Sequence, residues 1–424
     1  MELKDKQTRV TFHNGIGTIG GTIIEVAYKD SQIFFDFGSE YDPGAEIQPR
    51  DLQGLLDAKL VPYLNIFDPG IPIDRHTENT FEHKAVFLSH VHLDHSKIIN
   101  YLDPAVPLYT LYGTKSLLET LNINDDFLFP LHGAHEKNVR EVVGVSDNAV
   151  IEVGKIRVKV MPVDHDAYGA SGLYIETPDL TISYTGDIRL HGYRAEETIK
   201  FCEKSKGCDL LLIEGVSISF QEVDEVPVGA MSEVELVEAI DALIKANPTK
   251  QITFNYYITN IERIMKIIEK NPRTVVLDAY YSYILKDATG FESLYYSCDD
   301  KNYGLDANKR ISYDILLSDK GKYFWQLTNK EDVKKLKSGG IYIHSNAMPL
   351  GEFDPAYAPF VESFAVKGIA FELMGSSGHA YPKDLMWIID KIKPKLLIPI
   401  HSYHPERLLN KNGDRMLPFK GQVI

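Results

Sequence analysis

Ser89-His90-Val91-His92-Leu93-Asp94-His95 is the stretch on which the reading of this chain turns. It crowds three imidazoles and a carboxylate together directly after Ala85-Val86-Phe87-Leu88, an apolar run of the buried-strand kind. Ser96-Lys97-Ile98-Ile99 predicts a helix beginning behind it, which places the histidines in a strand-to-helix loop. His90 and His92, two apart on extended chain, point to one side. Past them the chain turns, so Asp94 and His95 can reach a second centre about 3.5 to 4 Å away, the separation typical of sites that hold two metal ions. A polar loop is the plain alternative, but three crowded histidines are costly unless something uses them.

One loop cannot complete two coordination spheres, so further ligands are expected at other strand ends. Val163-Asp164-His165-Asp166 supplies His165, Tyr184-Thr185-Gly186-Asp187 supplies Asp187, and Pro399-Ile400-His401 supplies His401, each after a predicted strand. Taken singly, each has a plain reading: a turn cap, a turn acid after Gly186, and a satisfied core histidine.

The flanking pattern is mixed α and β. Thr22 to Val26 and Ile33 to Phe35, split by Lys29-Asp30-Ser31, predict a hairpin that ends at Asp36. Alternation over Glu152 to Met161, followed by Leu173-Tyr174-Ile175, predicts antiparallel strands, and Leu180 to Tyr184 and Leu210 to Ile213 are apolar strands with acids close behind, Asp187 and Glu214. From about residue 220 amphipathic helices such as Glu233 to Ala246 and Asn260 to Glu269 alternate with strands at Gln251 to Phe254 and Thr274 to Leu277, the pattern of a separate α/β unit. Lys383 to Ile392 predicts a helix with Pro382 in its first turn, and Lys395 to Ile400 a buried strand.

With 424 residues the chain exceeds usual single-domain size, and 44% hydrophobic residues suffice for a core. A formal net charge of -15 argues against a broad basic surface, although carboxylates beside bound cations would account for part of it. Three cysteines, Cys202, Cys208 and Cys298, are too few for a disulfide framework or a Cys-rich zinc site. Met1 to Val10 is polar, and no apolar run approaches the ~20 residues needed to cross a bilayer. These features predict a cytoplasmic protein without membrane attachment.

At the histidine loop the chain resembles the metallo-β-lactamase superfamily, whose signature H-x-H-x-D-H stands intact, accompanied by Asp36, His165 and Asp187. Ser376-Ser377-Gly378-His379-Ala380 and Pro399-Ile400-His401-Ser402 resemble the two late histidine motifs of the β-CASP branch, the nucleic-acid-processing members, and Glu214 in Leu-Ile-Glu-Gly resembles that branch's acidic motif. The likeness, from about Gly15 to Pro405, is to bacterial ribonuclease J and its relatives. Ribonuclease J carries a further C-terminal domain for assembly, whereas this sequence ends at Ile424, which leaves homo-oligomerisation open.

The resemblance implies an α/β fold, an αββα sandwich built from residues 1–212 and 373–424, with residues 213–372 inserted as the β-CASP domain and substrate in the cleft between. It implies one ion on His90, His92, His165 and Asp187 and another on Asp94, His95, Asp187 and His401, with Asp187 bridging and Asp94 and Asp187 counted among the catalytic groups. Zinc suits this His and Asp set ahead of manganese. A water shared by two ions becomes a hydroxide near neutral pH, since such binding lowers its pKa from about 15.7 to about 7. His379 is the candidate to hold a phosphate or protonate the leaving 3′ oxygen, with Ser377 and the Gly378 amide cradling the phosphate. A strand-to-helix turn with a helix cap is the plain reading of the same residues. Asp36 and Glu214 are expected to accept the outer N–H of ligand histidines. Tyr256, Tyr257, Tyr280, Tyr281, Tyr283, Tyr295 and Tyr296 either stack on bases or fill a core. The implied activity is cleavage of single-stranded RNA or DNA; the rival is a small-molecule hydrolase acting on thioesters, lactones or phosphodiesters.

Overall fold

A computed structural model describes residues 6–40, 49, 51–133, 137–225, 227–299 and 301–424, so the first five residues of the polar amino-terminal stretch lie outside the described residues. The chain divides into two units. One comprises Met1–Leu190, Arg194–Val228 and Gly378–Ile424, the other His191–Tyr193 and Gly229–Ser377. The crossings thus follow Val228 and Ser377, where the resemblance implies them after residues 212 and 372 and the sequence pattern changes near residue 220. Physically, Leu210–Glu214 pairs inside the first unit and Ile218 beyond it packs into the same core, which holds this segment there.

The first unit contains two seven-stranded sheets. One runs Gln422–Val423, Arg9–Asn14, Ile23–Tyr28, Ser31–Phe35, His83–Phe87, Leu108–Leu111, Val143–Val145; the other runs Asp414–Arg415, Leu396–Ile400, Leu210–Glu214, Thr181–Tyr184, Ser171–Glu176, Ile156–Pro162, Val150–Val153. Phe12, Ile24, Val26, Phe35 and Phe87 of the first sheet share a core with Val158, Ile182, Leu212 and Ile398 of the second. On the second sheet's outer face Leu211, Ile213 and Leu397 meet Phe201 of helix Ala195–Lys204 and Leu385, Ile388 and Ile392 of helix Pro382–Ile392. Successive leucines of Leu210–Glu214 therefore enter different cores, which explains why the strand is apolar without alternation. Each such side chain contributes about 1.5 to 3 kcal/mol of burial. Helix Tyr112–Leu121 lies against Leu108–Leu111 and Val143–Val145, completing the αββα order.

Two local expectations change. The run from Glu152 to Met161 is not one strand, because Gly154-Lys155 turns and Val150–Val153 folds back on Ile156–Pro162. Nor does a long helix follow His95: Leu93–Ser96 is a single turn that contains Asp94 and His95, and Ile99–Tyr101 is a separate 3-10 turn. A tertiary partner takes a group a continued helix would use, since Ile98 N donates to Phe37 O at 3.1 Å.

The second unit holds a six-stranded parallel sheet in the order Leu294–Tyr296, Thr274–Asp278, Tyr323–Gln326, Ile252–Tyr256, Ile341–Ser345, Ala370–Leu373. Helix Glu233–Ala246 begins with a capping box between Ser232 and Glu235. Trp325, Tyr342, Phe360 and Phe364 fill a core in this unit, and Tyr295 and Tyr296 are also buried. Among the described residues no helix is long and apolar enough to cross a membrane.

Candidate metal centre

The chemistry-bearing residues of the first unit sit just beyond strand ends: His90 to His95 after His83–Phe87, His165 after Ile156–Pro162, Asp187 after Thr181–Tyr184, and His401 after Leu396–Ile400. His401, and Asp36 just after strand Ser31–Phe35, use left-handed backbone although neither is glycine, with φ of 53° and 59°. Such conformations cost free energy and persist where surroundings impose them. The histidine loop is pinned from outside as well. Asp94 O accepts from Gly21 N at 2.9 Å, and a Cβ at Gly38 would stand 1.6 Å from that same oxygen, so only glycine lets the two backbones approach.

Asp187 is the hub. Its Oδ2 lies 3.5 Å from His90 Nε2, 3.3 Å from His95 Nε2, 3.8 Å from His165 Nε2, 3.9 Å from His401 Nε2 and 3.9 Å from His379 Nδ1. Asp94 Oδ2 stands 3.4 Å from His401 Nε2 and 3.7 Å from His95 Nε2. His92 turns its Nδ1 inward, 3.1 Å from His165 Nε2. Two groups of potential ligand atoms result, each lying within 4.8 Å of one another: His90, His92, His165 and Asp187, and Asp94, His95, Asp187 and His401.

The ring nitrogens on the far side are committed. His95 Nδ1 is 2.8 Å from Asp36 Oδ2, His165 Nδ1 is 2.6 Å from Gly378 O, His90 Nδ1 is 2.9 Å from Ser89 Oγ, and His401 Nδ1 is 3.3 Å from Thr22 Oγ1. Asp36 also accepts from Ser89 N and Ser89 Oγ, each at 2.8 Å, and from Tyr184 OH. A histidine that donates its outer N–H to such an acceptor keeps the inner nitrogen's lone pair for a cation.

Burial pushes His90 well down, His165 to about 3, and His92 and His401 down as well, which keeps these rings neutral. His95 goes the other way: burial opposes its charge, but Asp187, Asp94 and Asp36 raise it well above the ordinary value. Burial likewise disfavours charge on Asp187, yet His401, His95 and His379 hold it well below the usual carboxylate range. For His379, burial is outweighed by the Glu214 and Asp187 carboxylates, which lift it to about 9.

His90 Nε2, His95 Nε2, His401 Nε2 and both carboxylate oxygens of Asp187 are buried without a hydrogen bond. Leaving such groups unsatisfied costs about 1 to 3 kcal/mol each. All of them face one another, and divalent cations coordinated by imidazole and carboxylate would satisfy them together. The residues present therefore fit two such ions.

A sequence profile described as a beta-lactamase superfamily domain matches residues 67–254. Ribonuclease J of Mycoplasma genitalium is 23% identical over 424 residues, spanning 94% of this chain and 68% of that protein, and ribonuclease J of Thermus thermophilus is 23% identical over 420 residues, spanning 92% and 67%. The chain carries a beta-lactamase superfamily domain, and its similarity to ribonuclease J is consistent with the β-CASP branch of the metallo-β-lactamase family. The crystal structure of a protein of unknown function from Enterococcus faecalis V583 matches with a TM-score of 0.93 and 50% identity, covering 98% of this chain and 99% of that one. Membership in the metallo-β-lactamase superfamily and the His and Asp cluster both point to divalent metal binding.

In this metallo-β-lactamase domain the seven residues expected as ligands come together, and His379 joins them with its side chain 24% exposed, against at most 20% for the ligand carboxylates. Asp36 stands behind His95, its Oδ2 2.8 Å from His95 Nδ1. Glu214 is placed differently: its Oε1 lies 3.4 Å from His379 Nδ1 and its Oε2 accepts from Val216 N, so it serves His379 and not a ligand histidine. Gly378 contributes its carbonyl to His165, and a Cβ there would fall 2.4 Å from Asp166 Oδ1. Ser377 lies in the second unit, where its carbonyl is 2.9 Å from His191 Nε2. Asp166 is the residue that sequence reasoning passed over. It is buried, with Oδ1 3.4 Å from His165 Nε2 and 3.8 Å from His92 Nε2, and the only signal was its place beside His165. Asp164 was passed over too; paired with Arg189 at 2.9 Å and bonded to Arg194 N, it holds the His165 loop.

Proposed function

We propose that this chain is a metal-dependent hydrolase that cleaves phosphodiester bonds in single-stranded RNA. The observation that carries the reading is Asp187 Oδ2, one carboxylate oxygen within 3.9 Å of five imidazole nitrogens, which joins two ligand groups and His379 into one centre. His90, His92, His165 and Asp187 would hold one ion, and Asp94, His95, Asp187 and His401 the other, zinc before manganese. When bound, such ions supply an acidified water as nucleophile and positive charge beside the phosphate. His379 is held protonated by Glu214 and is the one histidine of the centre with substantial exposure, so it can donate to a phosphate oxygen or to the leaving 3′ oxygen. The Gly378 amide, next to it in the chain, would complete the phosphate cradle. The ribonuclease J relatives favour RNA as substrate.

A second reading, a hydrolase of small thioesters, lactones or phosphodiesters, is favoured by the formal charge of -15. Elemental analysis of the purified chain, followed by cleavage of labelled RNA carrying a 5′-monophosphate or a 5′-hydroxyl, separates the two. Metal-dependent scission that is lost in Asp94→Asn and His379→Ala supports the nuclease; intact RNA with turnover of a small ester moves the assignment to the second reading.

A further inference from the structure

Phe220 and Tyr403, both in the first unit, are large aromatic side chains left 70% and 54% exposed, and they touch: their ring centroids are 6.4 Å apart at an interplanar angle of 82°. Single exposed aromatics need no explanation, but an adjoining pair costs burial that a folded chain ordinarily recovers. Position makes this pair informative. Tyr403 follows His401 by two residues, so its Cα is within about 7 Å of that ligand's Cα. Phe220 ends the 3-10 turn Ser217–Ser219, on the segment that leaves Glu214.

Buried hydroxyls fasten the two segments together. Ser219 Oγ reaches Gly215 O at 3.2 Å and Ser402 Oγ at 3.0 Å, and accepts from Tyr403 N at 2.9 Å. Gly215 N donates to His401 O at 3.4 Å, and Arg407 Nη1 clamps the Phe220 segment by donating to Ile218 O at 2.7 Å and Gln221 O at 3.2 Å. The rings are therefore held in place before any ligand arrives, by the same backbone that positions His401. Two rings near a right angle form a corner into which one flat, uncharged ring system can seat, its face on one ring and its edge on the other.

We infer that Phe220 and Tyr403 form a stacking corner for one unpaired base of the substrate strand, at the rim of the metal centre. This rests on the nuclease reading and deepens it: a base inside a duplex is stacked on both faces and cannot enter, so the corner selects single strands. Stacking on an aromatic side chain is sequence-tolerant and typically worth about 1 to 3 kcal/mol per base, or roughly five- to 150-fold in affinity.

The test uses the full metal-loaded chain and an RNA in which successive bases are replaced by 2-aminopurine, whose fluorescence falls on stacking. Phe220→Ala and Tyr403→Ala should each raise the KM for single-stranded RNA about tenfold and abolish the quenching at one nucleotide position. Tyr403→Phe should restore both. Phe419→Ala, an equally exposed phenylalanine elsewhere on the unit at 67%, should leave the KM unchanged. Hydrolysis of bis(p-nitrophenyl) phosphate, which has no base, checks that each variant is folded and loaded. Unaltered KM and quenching in Phe220→Ala overturn the corner and leave the nuclease reading standing. Failure of the unsubstituted chain to bind or cut RNA while it turns over the small diester overturns both. A dimer in light scattering that Phe220→Ala dissociates, with RNA kinetics unmoved, identifies a second copy as the occupant and overturns the corner.

Discussion

Asp36→Asn changes one buried atom and tests how the metal centre is held. Three donors converge on Asp36 Oδ2, from His95 Nδ1 at 2.8 Å, Ser89 Oγ at 2.8 Å and Tyr184 OH, while Oδ1 receives Ser89 N at 2.8 Å. A carboxylate accepts all of them; a carboxamide has one oxygen. If asparagine keeps that oxygen under the three donors, its NH2 faces the Ser89 N–H, donor against donor; the flipped amide opposes three donors and is worse. Removing the charged partner of a buried pair costs about 3 to 5 kcal/mol. The loss also reaches the ligands, since Asp36 orients His95 directly and His90 through Ser89 Oγ, 2.9 Å from His90 Nδ1. Loss of such a supporting acceptor typically weakens metal binding about 10- to 100-fold. Competition with a chromophoric zinc chelator measures the affinity, and thermal unfolding of the chelator-stripped chain measures the stability. Wild-type zinc affinity in a folded Asp36→Asn chain refutes the assignment of Asp36 as the orienting acceptor.

Gly38→Ala places a methyl 1.6 Å from Asp94 O, so it should destabilise the first unit by about 3 kcal/mol or more and reduce metal content; an unchanged melting temperature contradicts the close approach. In the second unit Arg263 and Glu233 are both fully buried and paired at 2.8 Å, with Arg263 donating also to Ser345 O, Asn346 Oδ1 and Ser376 O. Arg263→Met alone should cost about 3 to 5 kcal/mol in urea unfolding, and adding Glu233→Gln should recover part of that, because the stranded charge is then gone. Asp278 caps helix Ala279–Thr289, and burial raises its carboxyl to about 6. A raised carboxyl stabilises the fold at low pH, and this contribution is lost as pH rises from the unfolded value near 4 through about 6. Asp278→Asn keeps the cap and removes the charge, so it should stabilise by up to about 3 kcal/mol at pH 7.5 and bring no gain below pH 4; equal gain at both pH values refutes the burial argument.

Much of the fold was legible because its cause is local. Leu210–Glu214 and Leu396–Ile400 read as strands since residues covered on both faces must be apolar throughout, and Pro382 marks the start of its helix since only the first turn tolerates a missing N–H. The helix behind His95 does not form because Ile98 N is claimed by Phe37 O, a partner that periodicity does not reveal. The border near 212 moved to 228 because Ile218 is held by a core assembled from distant strands.

At the centre, the types of the ligand residues and their place at strand ends were determined by sequence alone, since a compact His and Asp motif has few other uses. Which nitrogen of each ring faces inward, that Glu214 serves His379, and that Asp166 stands beside His165 and His92 were decided only in three dimensions. Tyr184 and Asp36, 148 residues apart, meet because strands of two sheets pack face to face. Side-chain identity supplies lone pairs and charge, but their direction depends on hydrogen-bond partners contributed by remote segments, and only packing brings those into contact.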